Sequence, residues 1–214
     1  MVRPYPLMRD DDRVSHTHRL VYIRHGETAW SRIGRHTGAT DVPLTETGIA
    51  QARALGPVLA ELELARPTVL VSPRTRAAET AELAGLTVTA VDPDLAEWDY
   101  GDYEGRTSEE IRADDPGWTI WTAGAPGGEQ VAARADRVLA RARAAMADGD
   151  VVLVAHGHLG RVLTARYLGQ PAAFGRHTAL LPASAAVFGD DRDGVPQISR
   201  FGLVGYAAAQ YAGR

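Results

Sequence analysis

The sequence predicts an α/β fold in which two histidines lie at one edge of a parallel sheet. An apolar run over 20–23 leads through Arg24 into His25, a second run over 151–155 leads into His156, and a glycine follows each histidine. Apolar, β-branched runs of this length are typical of buried strands. Because ligands bind outside the carboxyl ends of such strands, we expect the two histidines to face each other across a phosphate.

Composition excludes several other functions. The 214 residues are 45% hydrophobic and 23% charged, as expected of one soluble domain, and the net charge of −4 does not indicate nucleic acid or anionic membranes as partners. There is no cysteine, which excludes disulfides and thiolate nucleophiles. All 23 basic residues are arginine, which excludes Schiff-base and P-loop lysines. No apolar run could span a bilayer and no signal peptide is evident, so we expect a cytoplasmic protein.

The amino-terminal half begins with an expected flexible extension over 1–18, followed by a single domain over 19–214. The extension holds two surface histidines, for which a metal site is the less favoured interpretation. The first strand is predicted over 19–24. After a loop, apolar residues at helical spacing predict a helix over 46–64 with Thr45 as N-cap.

A second strand–helix pair follows. The run 69–71 predicts a short strand, and Ser72 is the expected N-cap of a helix over 73–84 with Pro73 at its first position. A third strand, rich in threonine and valine, is predicted over 86–91.

The middle of the chain is predicted to be mostly irregular. Residues 92–106 form a loop, Thr107 opens a short helix, and 115–128 form a loop or lid rich in glycine and proline. A helix is predicted over 129–147. One face of that helix carries an arginine row for which a solvated surface is favoured over a binding patch: Arg134, Arg137 and Arg141.

The carboxyl-terminal part returns to the sheet. A strand over 151–155 and a helix over 158–168 are followed by two strands near 184–189 and 197–203. The turn over 190–194 joins the last two strands.

Arg24 and His25 together favour phosphate chemistry. A fixed cation beside a histidine disfavours a metal ion and favours an anion, and phosphate suits the guanidinium fork. A neutral histidine is a competent nucleophile toward phosphorus, and nearby arginines keep it neutral by lowering its pKa. Taken alone, His25 is better explained as a buried or turn histidine than as a catalytic one.

The stretch from Ser72 places Arg74 and Arg76 in the first turn of a helix. Helix amino termini attract anions, so one arginine can reach the crevice while the other stays in solvent. A surface helix with salt bridges remains an equal alternative.

An acid-rich stretch between Asp94 and Glu104 offers a proton donor. Departure of an alcohol from phosphorus requires one, and a carboxyl group packed among aromatic residues could hold the proton. Composition does not choose among the acids of this stretch.

The combined motifs resemble those of the histidine phosphatase superfamily, which includes the cofactor-dependent phosphoglycerate mutases. The resemblance runs from residue 20 to about residue 168, and implies a three-layer α/β/α sandwich with a mostly parallel central sheet, as in phosphoglycerate mutase. Within the superfamily it looks closest to a subgroup of actinobacterial acid phosphatases and fungal sedoheptulose-1,7-bisphosphatase. The motifs are Arg24-His25-Gly26-Glu27-Thr28, Ser72-Pro73-x-x-Arg76-Ala77, Glu97-x-x-x-Gly101-x-x-x-Gly105, Gly127-Gly128-Glu129 and His156-Gly157.

This resemblance implies a role for each site residue, without a metal or a cofactor. His25 would attack phosphorus, Glu97 would act as general acid and base, and Arg24, Arg76 and His156 would bind phosphoryl oxygens. The remaining expected pocket residues are Ser31, Thr37, Gly38, Tyr100, Gly157 and His158.

The resemblance favours hydrolysis of small phosphorylated metabolites over two rivals. About 30 residues separate Glu97 from Glu129, where the mutases usually carry a longer insertion, and Ser31 stands where they commonly have asparagine. A phosphoglycerate mutase-type transfer is the first rival, and a silent binding module is the second. We expect an acidic pH optimum, since neutral His25 and protonated Glu97 are needed together.

Several questions stay open at this stage. Sugar bisphosphates, phosphoglycerate derivatives and nonspecific monoesters all remain candidate substrates, and a homodimer is plausible. Arg74 falls where the family often has leucine, and it can lie at the surface or at the rim of the site. Lining of the pocket and simple packing are equally good explanations for His36, Trp118 and Trp121.

Overall fold

A six-stranded sheet forms the middle of three layers, with helices on both of its faces. The computed structural model describes residues 18–122 and 128–206. Its strands are β1 (Leu20–Arg24), β2 (Thr68–Val71), β3 (Ala90–Val91), β4 (Val151–Ala155), β5 (Ala185–Asp190) and β6 (Pro196–Leu203). Its helices are α1 (Ala29–Arg32), α2 (Glu46–Ala60), α3 (Thr75–Leu83), α4 (Ser108–Asp114), α5 (Gly128–Ala145) and α6 (Gly157–Tyr167).

The strand order β3-β2-β4-β1-β5-β6 confirms a mostly parallel sheet. The first four strands run parallel, while β5 pairs antiparallel with β1 and β6 pairs antiparallel with β5. In the ladder between β1 and β4, Arg24 pairs with Ala155. The residues that follow these partners, His25 and His156, therefore leave the sheet side by side at its carboxyl edge.

Alternation along β1 builds a core on each face of the sheet. Leu20 and Tyr22 join the cluster formed with α5 and α6, while Val21 and Ile23 join the cluster formed with α2 and α3. All four side chains are fully buried. A strand that is apolar at every position is required here because both of its faces are covered.

Helix α2 ends earlier, and helix α3 begins later, than the sequence predicts. Helix α2 ends at Ala60 rather than 64, and the chain then turns, with Glu63 at a positive φ of 48°. Helix α3 begins at Thr75, so the assignment of Ser72 as its N-cap was wrong. The Thr75 N–H instead donates to both carboxylate oxygens of Asp41 at 3.1 Å, and this contact comes from a distant loop.

Short elements account for the other differences. The third strand forms only over 90–91 of the predicted 86–91, at the edge of the sheet. Within the predicted loop after β1, α1 forms with a capping box between Thr28 and Ser31. Three 3₁₀ turns were not predicted: Pro93–Leu95, Gly101–Tyr103 and Ala172–His177.

Two predictions fall partly outside the described residues. Of the predicted extension 1–18, only the last residue is described, and its imidazole Nδ1 lies 2.7 Å from the Met146 carbonyl. Of the predicted loop or lid 115–128, residues 123–127 lie outside. Within 18–122 and 128–206, none of the helices has the length and apolar character that a membrane crossing requires.

Candidate active site

His25 is held at the end of β1 in one tautomer. Its backbone N–H donates to the Ala155 carbonyl at 2.9 Å, which extends the sheet ladder by one bond. Its Nδ1 lies 2.7 Å from the Gly26 carbonyl. Because a carbonyl only accepts, Nδ1 carries the proton and Nε2 keeps the lone pair that a nucleophile needs.

The turn after His25 has no room for a side chain. A Cβ at Gly26 would lie 2.5 Å from the carbonyl oxygen of Gly48 in the first turn of α2. The Gly26 N–H also donates to Thr80 Oγ1 at 3.0 Å. Glycine is therefore required at this position by the close approach of α2, and the approach fixes the turn that carries the histidine.

His156 stands across from His25 at the N-cap of α6. The two ring centroids are 5.2 Å apart with an interplanar angle of 65°. The Tyr22 hydroxyl accepts from the His156 N–H at 2.9 Å and donates to its carbonyl at 2.7 Å. Ser72 Oγ lies 2.6 Å from His156 Nε2, so the serine orients an imidazole instead of capping a helix.

Arg24 and Arg76 complete the floor of the site. Arg24 Nη1 donates to the Leu180 carbonyl at 2.6 Å. Arg76 is fully buried, its Nη1 donates to the Thr40 carbonyl at 2.9 Å, and it lies 3.6 Å from the Asp41 carboxylate. The single carboxylate contact is long, so the local charge of this region is positive.

Three buried nitrogen atoms of this floor have no partner among the residues that the structure describes. They are Nε of Arg24, Nε of Arg76 and Nδ1 of His156. Leaving a buried donor unpaired costs about 1–3 kcal/mol, and three in one place indicate a site built for an anion with several oxygens.

Both floor histidines favour the neutral form. Burial lowers the pKa of His25 well below its usual range, and the charges of Arg76 and Arg24 lower it further. Burial also lowers the pKa of His156, with His25 and Arg76 adding to the effect. His25 can attack phosphorus only in its neutral form, in which one ring nitrogen keeps its lone pair.

Glu97 lies above the floor and its carboxylate faces the amino terminus of α6. Oε1 accepts from the backbone N–H groups of Trp98 and Leu159, both at 2.8 Å, and Oε2 accepts from that of His158 at 2.9 Å. Oε2 thus accepts one bond fewer than Oε1. Oε2 therefore has the greater remaining capacity to accept a hydrogen bond.

A cavity of about 560 Å³ opens above Arg24, His25 and Glu97, whereas Arg76 and His156 are not part of its lining. The lining also includes apolar residues near Leu180 and four arginines. The arginines are Arg24, Arg32, Arg35 and Arg161. The expected pocket residues that line it are Ser31, Thr37, Tyr100, Gly157 and His158.

Gly38 is the expected pocket residue that lies elsewhere. It lines a smaller adjoining cavity of about 260 Å³, which Arg74 and Glu97 also line. Its N–H donates to both carboxylate oxygens of Glu104 at 3.0 and 2.9 Å, and a Cβ there would lie 2.4 Å from the Trp98 carbonyl oxygen. Its observed contacts are with the protein backbone and Glu104.

An aromatic cluster forms one wall. His36, which lines the main cavity, stacks on His158 with centroids 5.9 Å apart, and the Tyr100 hydroxyl lies 2.6 Å from His158 Nδ1. Trp118 packs edge-on against His36, while the guanidinium of Arg161 covers Trp121 at 4.6 Å. Sequence reasoning did not single out Arg161, because no motif marks it.

Comparisons with known proteins show which family the chain resembles. A sequence model of the histidine phosphatase superfamily (branch 1) matches residues 20–202. The chain is 49% identical over 199 residues to an acid phosphatase of Mycobacterium tuberculosis, covering 92% of this chain and 98% of that protein. It is 35% identical over 185 residues to sedoheptulose 1,7-bisphosphatase of Saccharomyces cerevisiae, covering 72% of this chain and 68% of that protein.

Among solved structures, that of an open reading frame of Mycobacterium tuberculosis is similar to the whole fold. The TM-score is 0.86 at 48% sequence identity, with 89% of this chain and 100% of that chain covered.

Proposed function

Because the chain belongs to the histidine phosphatase superfamily and is a phosphatase, we propose that it hydrolyses phosphomonoesters of small metabolites, such as sugar phosphates, through a phosphohistidine on His25. The observation that carries this mechanism is the set of three unpartnered buried nitrogens on the side chains next to His25, namely Arg24, Arg76 and His156. They match a phosphoryl group, which presents several oxygens to the enzyme.

In the first step, Nε2 of His25 attacks phosphorus and the ester P–O bond breaks. Arg24, Arg76 and His156 donate to the phosphoryl oxygens as charge spreads over them. Glu97 gives its proton to the departing alkoxide, so the products of this step are an alcohol and a phosphohistidine.

In the second step, a water molecule attacks the phosphohistidine. Glu97, now ionised, takes a proton from that water as the P–N bond breaks. Inorganic phosphate leaves, His25 regains its lone pair, and Glu97 again holds a proton. All of these proton transfers use side chains of the protein, so the proposed cycle requires no metal ion or cofactor.

The test is phosphate release from a generic aryl phosphate and a metabolite panel, with a chelator present. His25→Ala should lower turnover by at least about 10⁴-fold, because the nucleophile is removed. His177→Ala is the matched control, since His177 is exposed and outside the cavity lining. Turnover that survives in His25→Ala, or that the chelator abolishes, would contradict the proposal.

The mutase alternative, the cellular location and the oligomeric state each require a separate test. A mutase would return phosphoester instead of free phosphate and would need a bisphosphoglycerate for activation. The proposal also includes a cytoplasmic location, which cell fractionation would check. It further includes a homodimer, which light scattering would check.

A further inference from the structure

Glu97 sits on a segment without regular hydrogen bonding of its own. It follows the 3₁₀ turn Pro93–Leu95, and the intervening Ala96 has extended backbone angles of φ −59° and ψ 150°. No strand or helix fixes the Glu97 backbone, so its position depends on contacts from elsewhere in the molecule.

One arginine of α5 makes such a contact. Arg134 Nη1 donates to the carbonyls of Asp94, at 3.0 Å, and Ala96, while Nη2 donates to the carbonyl of Glu97 itself at 2.9 Å. A planar guanidinium presents its donors in a fixed fork, so this one side chain binds three carbonyls of the segment at once.

The other arginines of the same row differ in what they bind. Arg137 and Arg141 are exposed and pair with the carboxylates of Asp94 and Asp92. Ion pairs made by exposed arginines are weakened by solvent and salt. Arg134 is half-buried and binds main-chain carbonyls, so it is distinct from the solvated face expected for this row.

Glu97 is therefore held from two sides. α5 holds its main chain through Arg134, and the first turn of α6 holds its carboxylate through His158 and Leu159. If the first contact is lost, the second remains. The main chain of Glu97 can then shift, and the carboxylate, which stays bound to the amino terminus of α6, changes its direction relative to the leaving oxygen.

We infer that Arg134 is a positioning residue for the general acid, acting through the backbone of Glu97. This inference rests on the proposed function, in which Glu97 protonates the leaving alcohol. It predicts a defect that depends on the leaving group, because an aryl alcohol leaves readily without a proton and an alkyl alcohol does not.

The experiment compares kcat/KM for glycerol 2-phosphate and for p-nitrophenyl phosphate, since kcat/KM reports the steps up to alcohol release. Arg134→Met should lower the value for the alkyl ester by about 10-fold to 100-fold, the range expected from a small misplacement of a catalytic group. The value for the aryl ester should change by less than about threefold. Arg134→Lys, which keeps the charge but lacks the fork, should show the same selectivity to a smaller degree.

Arg137→Met is the matched control, because Arg137 lies on the same helix face, pairs with Asp94 and makes no bond to the Glu97 main chain. It should leave both values unchanged. An Arg134→Met variant that loses both activities equally, or neither, would overturn the inference, and thermal unfolding would show whether an equal loss reflects the fold. If Arg134→Met does not fold, Arg134→Lys decides by the same criteria.

Glu97→Gln in the same assay separates the inference from its premise. A leaving-group-dependent defect in Glu97→Gln without one in Arg134→Met overturns the inference alone. Absence of the dependence in Glu97→Gln itself overturns both, since Glu97 would then not be the general acid.

Discussion

The floor of the site and the segment above it are built in different ways. In the floor, Arg24, His25 and His156 lie at the carboxyl ends of the paired strands β1 and β4, while Arg76 lies in the first turn of α3. The sheet ladder places the two histidines with ring centroids 5.2 Å apart. The acid segment, residues 92–106, contains two short 3₁₀ turns, and its conformation depends on contacts with Arg134 and α6. Regular sheet hydrogen bonding fixes the two histidines of the floor, whereas long-range contacts between side chain and backbone fix the acid segment.

This difference predicts two classes of functional defect. Changes in the floor act on the phosphoryl group, which every substrate carries, so they should slow all esters alike. Changes that act through the acid segment should slow each ester to a degree that depends on its leaving alcohol. The predictions that follow test this division, beginning with the largest effect.

Arg76→Lys should lower kcat/KM by roughly 10²–10³-fold for alkyl and aryl esters alike, because a fixed donor to the phosphoryl oxygens is lost. Lysine keeps the charge but cannot present a planar fork, and the Thr37 and Thr40 carbonyls would lose paired donors. The measurement is kcat/KM for the two esters. A loss confined to the alkyl ester would contradict the division.

Ser72→Ala should lower kcat/KM about tenfold for both esters. The hydroxyl lies 2.6 Å from His156 Nε2, so its removal frees the imidazole to rotate while leaving it in place. Steady-state kinetics of the purified variant would check this, with Ser199→Ala as a remote control because Ser199 bonds a carbonyl on β5. If Ser72→Ala behaves like the control, the serine does not orient His156.

As the pH falls, the free energy of unfolding should decrease before the nucleophile His25 becomes protonated. The folded-state pKa values of His25 and His156 lie below the ordinary value near 6.5, so the unfolded chain binds more protons between the two values. Stability should therefore be independent of these groups above about pH 6.5 and fall below it, by at most about 1.4 kcal/mol per pH unit for each histidine. Denaturant unfolding from pH 7 to pH 5 measures the slope, which His25→Ala should reduce.

Activity should respond to the same pH range differently. His25 stays neutral as the pH falls through 6.5, so kcat/KM for an alkyl ester should be retained there and an acidic optimum is expected. A tenfold loss per pH unit starting near pH 6.5 would show that the nucleophile titrates normally. A profile rising steadily to alkaline pH would contradict the need for a protonated acid.

Gly157→Ala should have the smallest effect. A Cβ there would lie 3.4 Å from Arg24 Nε, an ordinary contact, so the free energy of unfolding should change by less than about 1 kcal/mol. Gly38→Ala is the informative contrast, since its Cβ would meet a backbone oxygen at 2.4 Å. Equal effects of the two substitutions on thermal stability would contradict this account of the packing.

The same difference explains what the sequence could predict. His25 and His156 each follow an apolar run, and this local pattern occurs twice in the sequence. Both strands and the juxtaposition of the two histidines were therefore predicted from the residues alone. Glu97 was chosen among competing acids only by family resemblance, since its environment comes from α6, about 60 residues away. The geometry now places its carboxylate beside the cavity.

Long-range contacts account for the predictions that failed. A serine before a proline is a common helix start, but the Ser72 hydroxyl lies within hydrogen-bond distance of His156 Nε2. The first N–H of α3 instead donates to the carboxylate of Asp41. In the same way, the arginine row of α5 looked uniform in sequence, and only the fold shows that Arg134 reaches backbone carbonyls. Neither partner is near in sequence, so local patterns carried no signal for them.

The most direct test of the central claim is to trap the phosphorylated enzyme in Glu97→Gln. This variant keeps the floor, so an aryl phosphate should still phosphorylate it, but it lacks the base that activates water. After an alkaline quench, mass spectrometry should find the phosphoryl group on His25, at higher occupancy than in the wild type. A phosphoryl group on another residue, or none despite release of the aryl alcohol, would contradict the account.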